Sequence, residues 1–333
     1  MVDNTIGWGQ GAVNNTIGWG GAKANNTIGF GSIYDDTPTG DTNITGTGST
    51  PPSFQNTKAF KFNGGPESFQ SADDTPFGNP RAEDGFDANI MFSFWIKIDS
   101  DFFSDETFSN QDMEIINKHD QSNRLGYKVF LRRATNSAGT QHFRSLRFQL
   151  ELDRPVGTNN QQSIVYTLNN GEMIGDTVYN VAVGYEKSTR TAKMYVNGNK
   201  VKEGTIQGGV GGIEQAFTRF TIGNSSPTAN QGFEGVIDEV AVWQHNTATD
   251  NISDAEAQAI YNFTSYGGDL NSVSGSAFSG ITLKGWYRMG EDVTTSGGNF
   301  VMQNEATGGI NAPLTSDNMD SENRVNNITP SVS

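Results

Sequence analysis

Residues 90–98 constrain the fold more than any other stretch: Ile90, Phe92, Phe94, Ile96 and Ile98 alternate with Met91, Ser93, Trp95 and Lys97. In an extended strand successive side chains point to opposite faces, so the pattern sets an Ile/Phe row on one face and a mixed row on the other. A helix would scatter the same residues around its circumference. The row needs a second apolar layer, which predicts a sheet packed on a sheet.

The region 54–290 repeats this texture in shorter pieces. Strands are expected at 59–63, 113–118, 127–132, 145–151, 163–168, 178–186, 217–222, 232–243 and 281–289. Asn197-Gly198, between strands at 193–196 and 200–203, predicts a hairpin closed by a type I′ turn. One helix is expected from Ser253, with Glu256 completing a capping box and Ala257, Ile260 and Tyr261 on one side. With 21 Phe in a chain that is only 34% apolar, the expected fold class is an all-β antiparallel sandwich with an aromatic core and long loops.

The flanks are different. Asn4-Thr5-Ile6-Gly7-Trp8-Gly9 recurs as Asn15-Thr16-Ile17-Gly18-Trp19-Gly20 and again as Asn26-Thr27-Ile28-Gly29-Phe30-Gly31. Within each copy the Ile and the aromatic share one face of an extended segment, and a unit this short cannot cover that face by itself. Residues 1–34 are therefore expected to be an assembly arm, with Ile6, Trp8, Ile17, Trp19, Ile28 and Phe30 as its anchors on sister chains or on other proteins. Residues 35–53, rich in Thr, Gly, Pro and Asp, read as a linker. Residues 291–333 read as a polar C-terminal tail.

Charge excludes one class of partner. Lys and Arg number 22 against 37 Asp and Glu, a net charge of −15, so no basic face for nucleic acid is expected. The chain has no Cys, which excludes disulfides and thiolate metal sites. The opening MVDNTIGWGQ has neither a basic nor an apolar signal region, and no membrane insertion is expected.

Four motifs in order resemble the laminin-G-like, concanavalin A-like jelly-roll domains. They are Phe60-Lys61-Phe62-Asn63-Gly64, Phe92-Ser93-Phe94-Trp95-Ile96-Lys97, Met194-Tyr195-Val196-Asn197-Gly198 and the run from Phe233 through Ile237-Asp238-Glu239-Val240 to Trp243. The resemblance covers about residues 54–264 and implies a lectin-type sandwich. It also implies a structural Ca²⁺ held by Asp238 with backbone oxygens near Asn63 or Gly64; acceptance of hydrogen bonds from loop amides is the other role open to Asp238. The "NNTIGWG" repeats and Gly285-Trp286-Tyr287-Arg288-Met289-Gly290 resemble segments of tailed-bacteriophage virion structural proteins.

No catalytic residues are expected. Glucanases of this architecture carry a Glu-x-Asp-x-x-Glu strand, because retaining cleavage needs two carboxylates about 5 Å apart on one face. Here Glu151-Leu152-Asp153 is followed at the last position by Val156, so the second acid is missing. Asp238 and Glu239, adjacent on a strand, are expected on opposite faces. His119, His142 and His245 have no metal-ligand spacing and are expected on loops or the surface. The 208–212 glycine run lacks the Lys-Ser/Thr of a phosphate loop. Tyr127, Tyr166 and Trp95 could stack on a sugar or belong to the core. The expected function is a non-enzymatic virion protein, anchored by its arm, whose sandwich adheres to host glycan or else decorates and cements a capsid or tail; a secreted glycan-binding or glycan-hydrolysing protein is disfavoured.

Overall fold

The computed structural model describes residues 56–78, 85–104 except 87, 111–135, 142–152, 161–168, 171–207, 211–225, 232–265 except 248, 267–326 except 274, and 328. The chain divides into the units Met1–Gln55 and Asn56–Ser333, and every described residue belongs to the second. The arm, its six anchor residues and the linker lie outside the described residues.

The order is β1 (Lys58–Asn63), β2 (Ser68–Ser71), β3 (Asn89–Ile98), the one-turn helix α1 (Asp101–Ser104), β4 (Gln111–Asp120), β5 (Leu125–Thr135), β6 (His142–Glu151) and β7 (Gln161–Thr167). There follow β8 (Val178–Glu186), β9 (Thr191–Val196), β10 (Asn199–Thr205), β11 (Thr221–Ile222), β12 (Glu234–His245) and the helix α2 (Asp254–Ser265). The chain closes with β13 (Ile281–Tyr287), β14 (Thr294–Ser296), β15 (Asn299–Met302), β16 (Leu314–Asp317) and β17 (Arg324–Asn326). Two antiparallel sheets form. The first runs β10-β9-β8-β3-β12-β1-β17, with β13 also on β12; the second runs β14-β15-β16-β2-β11-β4-β5-β6-β7.

The Ile/Phe row of β3 faces the second sheet. Phe92 meets Tyr127 at 5.2 Å and Phe148 at 6.5 Å between ring centroids, and all five row residues are buried. Burying each Phe contributes roughly 1.5–3 kcal/mol, which is how a chain this polar sustains a core. On the opposite row of β3, Met91, Ser93 and Trp95 are buried as well, and Lys97 is half-buried. Trp95 lies 5.8 Å from Tyr261 of α2, and Trp243 donates its Nε1–H to Ser93 Oγ at 2.9 Å. Trp95 and Tyr127 are therefore core residues; Tyr127 donates its hydroxyl to the carbonyl of Phe77 at 2.7 Å, and half-buried Tyr166 packs on the same core.

Local chemistry sets the connections. Asn197 and Gly198 take φ of 49° and 74°, the left-handed pair of a type I′ turn, and Asn197 Oδ1 accepts from the backbone N–H of Asn180 at 2.8 Å. The Glu256 N–H donates to Ser253 Oγ at 3.2 Å while the Ser253 N–H donates to Glu256 Oε2 at 2.7 Å, so the capping box forms at the start of α2.

Two expectations are corrected. Through residue 326 the stretch expected as a polar tail is not a trailing one: β14 to β17 add to both sheets, and Met302, Leu314 and Met319 are buried. Their few apolar residues suffice because each strand needs to cover only a sheet margin. His119 and His245 are not surface residues but are buried in β4 and β12; the half-buried His142 opens β6. Each buried ring faces a carboxylate, Glu151 at 2.9 Å and Glu256 at 3.9 Å, which makes its burial tolerable.

Candidate functional site

One side of β12 is shared by two strands. Phe60 to Asn63 of β1 pair with 234–237, while β13 pairs with 240–245. Asp238 and Glu239 stand at the gap between them. Glu239 has a φ of 49°, and the register against β3 slips between Asp238 and Ala241, so this is a β-bulge that ends strict alternation. The two carboxylates are consequently not separated by the sheet. Both are buried, and burial raises each, with Glu239 adding its charge against Asp238. The Glu239 carboxyl is pushed up to about 7 by burial, against the opposing pull of the Trp286 hydrogen bond and the Arg288 charge.

Asp238 does not meet the partners that calcium would require. Asn63 pairs with Glu234, and the N–H of Gly64 donates to the carbonyl of Phe233. That turn is four residues from Asp238 along β12, about 13 Å away. Asp238 instead accepts from Asn56 Nδ2 at 2.9 Å, from its neighbour Glu239 N–H at 2.8 Å and from the Ile328 backbone. Its acceptor positions are occupied by amides, and no cluster of three or more His, Asp or Glu converges as metal ligands among the described residues. The arrangement does not fit the calcium site that the resemblance implies.

The second candidate is an acidic stretch of β6. Glu151 Oε1 lies 2.9 Å from His119 Nε2, and Gln149 Nε2 lies 3.2 Å from the same ring nitrogen. Residue 149, which shares Glu151's face of β6, is an amide; residues 153 and 156 lie outside the described residues. Glu151 is thus bound into a buried polar row.

The sandwich is open at one end. A cleft of about 340 Å³ is lined by Asn63, Asp99, Asp101, Arg133 and Glu234. Four strands deliver these side chains: β1 ends at Asn63, β3 runs out into Asp99 and α1, β5 brings Arg133, and β12 starts at Glu234. Gly64 allows the turn beside it, because its φ is +77° and a Cβ there would lie 2.6 Å from Glu234 Cγ.

Charges in the cleft are partly matched. Lys61 Nζ is 3.7 Å from Asp99, and Arg133 is 3.8 Å from Glu234 while donating to Gln111 Oε1 at 2.7 Å. The Arg133 guanidinium lies over the Phe102 ring at 5.7 Å, which stiffens it. Asp101 is exposed in the first turn of α1. The result is a preorganised set of carboxylates, an amide and a guanidinium in a small depression, suited to a ligand rich in hydroxyls or other polar groups. Sequence reading missed this site because its members are far apart in the chain: Asn63 and Glu234 fall in two separate motifs, and Asp99, Asp101 and Arg133 in none.

Comparison with known proteins agrees with the architecture. The family model described as the concanavalin A-like lectin/glucanases superfamily, of laminin-G type, matches residues 80–253. No curated protein sequence matches the chain. Among solved structures, a candidate carbohydrate-binding protein from Bacteroides ovatus is similar at 16% identity and a TM-score of 0.49, over 79% of this chain and 59% of its own. A heptameric pentraxin from Limulus polyphemus is similar at 12% identity and a TM-score of 0.37, over 62% and 81%. The enzymatically active domain of tailspike protein 2 from bacteriophage CBA120 is similar at 13% identity and a TM-score of 0.37, over 59% and 26%. The chain thus spans 59% of the length of the Bacteroides protein. With the match extending from residue 80 to 253 and the two-sheet sandwich in place, the chain belongs to the concanavalin A-like lectin/glucanases superfamily.

Proposed function

We propose that this protein is a non-catalytic glycan-binding protein of a virus particle, held there by its repeat arm and presenting the end cleft of its sandwich to a saccharide. The observation that carries the binding role is the cleft itself, where strands of both sheets converge planar polar side chains around about 340 Å³. Sugars are recognised by such groups, because each carboxylate, amide or guanidinium can engage two neighbouring hydroxyls. The non-catalytic part is supported by the engagement of Glu151 with His119 and by the pairing of Asp99 and Glu234 with Lys61 and Arg133. The particle part rests on the threefold repeat of an Ile/aromatic unit, since several weak docking sites on one arm multiply into firm attachment.

A glycan array probed with the full chain tests the binding role, with Asp101→Ala and Arg133→Met as controls. Signal lost in both variants supports the cleft. No signal for the wild type sinks the lectin reading and leaves a decorating or cementing module. Replacing Trp8 and Trp19 together by Ala is expected to abolish incorporation into particles while leaving thermal unfolding unchanged.

A further inference from the structure

The outer face of the second sheet carries a buried lysine in an unusual setting. Lys128 stands directly across the ladder from Asn117, yet its side chain runs along the strand over the face of Phe130, with Nζ 4.3 Å from the ring centroid. It ends 3.2 Å from Asp112 Oδ2 and 3.6 Å from Glu114 Oε1, both on β4. Lys128 is 4% exposed, Glu114 3% and Phe130 1%. The remaining oxygens are also held: Arg132 lies 3.6 Å from Asp112 Oδ1, and the Ser225 N–H donates to Glu114 Oε2 at 2.9 Å.

These are the parts of an amide-forming site: an amine, a carboxyl carbon beside it, a second carboxylate to carry protons, and a cation at the oxygen that develops negative charge. We infer that Lys128 and Asp112 condense into an isopeptide bond joining β5 to β4. Nζ attacks Cγ of Asp112, and the Cγ–N bond forms as the Cγ–Oδ2 bond breaks. Two protons of the ammonium pass by way of Glu114 to the departing oxygen, which leaves as water. An ammonium and a carboxylate become a neutral amide and one water, so atoms and charge balance without any added reagent. Arg132 stabilises Oδ1 in the tetrahedral intermediate; the low exposure of Lys128, Glu114 and Phe130 shields the amine side of the site, while the Asp112 side chain, 21% exposed, leaves an exit for the water. Holding the two reacting groups at contact distance supplies the proximity that such a reaction needs.

The sequence supports a role for such a link. The chain has no Cys, so a covalent tie between strands cannot be a disulfide. The bond would fasten two central strands of the second sheet side by side.

The test is the intact mass of the purified full chain, followed by a search for a linked peptide containing Asp112 and Lys128. The expected mass is one water below that of the sequence. Lys128→Arg and Glu114→Gln are expected to restore the sequence mass, and Asp112→Asn to reach the wild-type product mass by losing ammonia instead. A wild type at its full sequence mass overturns the inference, as does a loss of water that persists in Lys128→Arg. Because the wild-type measurement decides by itself, a variant that fails to fold leaves the test intact.

Discussion

Trp286 donates its indole Nε1–H to Glu239 Oε2 at 2.5 Å, and both residues are buried. The bond ties β13 to the bulge in β12 where β1 and β13 meet end to end. Arg288, 3.8 Å from Glu239 Oε1, is the nearest compensating charge. Asp238, on the other side of the same peptide bond, adds a second buried carboxylate.

This arrangement sets a pH dependence. The Glu239 carboxyl is raised from 4.5 to about 7, so the folded state holds a proton that the unfolded chain releases earlier. Its contribution is fully present below pH 4.5 and is lost as pH rises through about 7. Stability is expected to fall between pH 5 and 8 by on the order of 1–3 kcal/mol from this group, and Glu239→Gln to flatten that slope. Denaturant melts of both proteins across this range provide the check.

Asp238 anchors both ends of the sandwich through Asn56 and Ile328. Asp238→Ala is expected to cost about 2–4 kcal/mol, since several buried donors lose their acceptor together. Calcium and chelator are expected to leave the melting temperature of the wild type where it is. A calcium-dependent rise that disappears in Asp238→Ala would reverse this reading of the amide-filled site.

The last strands belong to the core. Leu314 of β16 is fully buried and pairs with Ser71 of β2, so Leu314→Ala is expected to destabilise by about 2–5 kcal/mol. A chain ending at residue 290 is expected to lose cooperative unfolding, which calorimetry would register.

The cleft depends on a left-handed glycine. Gly64→Ala puts a Cβ 2.6 Å from Glu234 Cγ at a φ of +77°. The expected cost is about 1–2 kcal/mol of stability. Saccharide binding is expected to fall further than stability does, because Asn63 and Glu234 are both displaced; parallel array and melting measurements separate the two effects.

The alternating strands were legible from the sequence because alternation is a local signal. Residues 90–98, 178–186 and the Asn197-Gly198 hairpin all stand where periodicity and turn chemistry put them. β2 and β14 to β17 were not, since strands of only three or four residues are too short to show a period, and β14 and β17 bury none of their side chains. The short β11 was expected from residue 217, yet Phe217 is 47% exposed and pairing starts only at Thr221. Alternation also misplaced Asp238 and Glu239, because a bulge with one residue in the left-handed region resets the faces without changing composition. The cleft was out of reach for a different reason: Asn63, Asp99, Arg133 and Glu234 come together only through strand order, which no local pattern encodes.

β17 closes on β1, with Lys58 opposite Asn326, and Asn56 and Ile328 converge on one aspartate. In topological terms the sandwich is nearly a ring, open at a single seam. A circular permutant that joins residue 328 to residue 56 by a short linker and opens at residues 187–190, between β8 and β9, should therefore refold with the same core. The same seam makes the sandwich easy to splice into a loop of another polypeptide, since entry and exit would share one doorway.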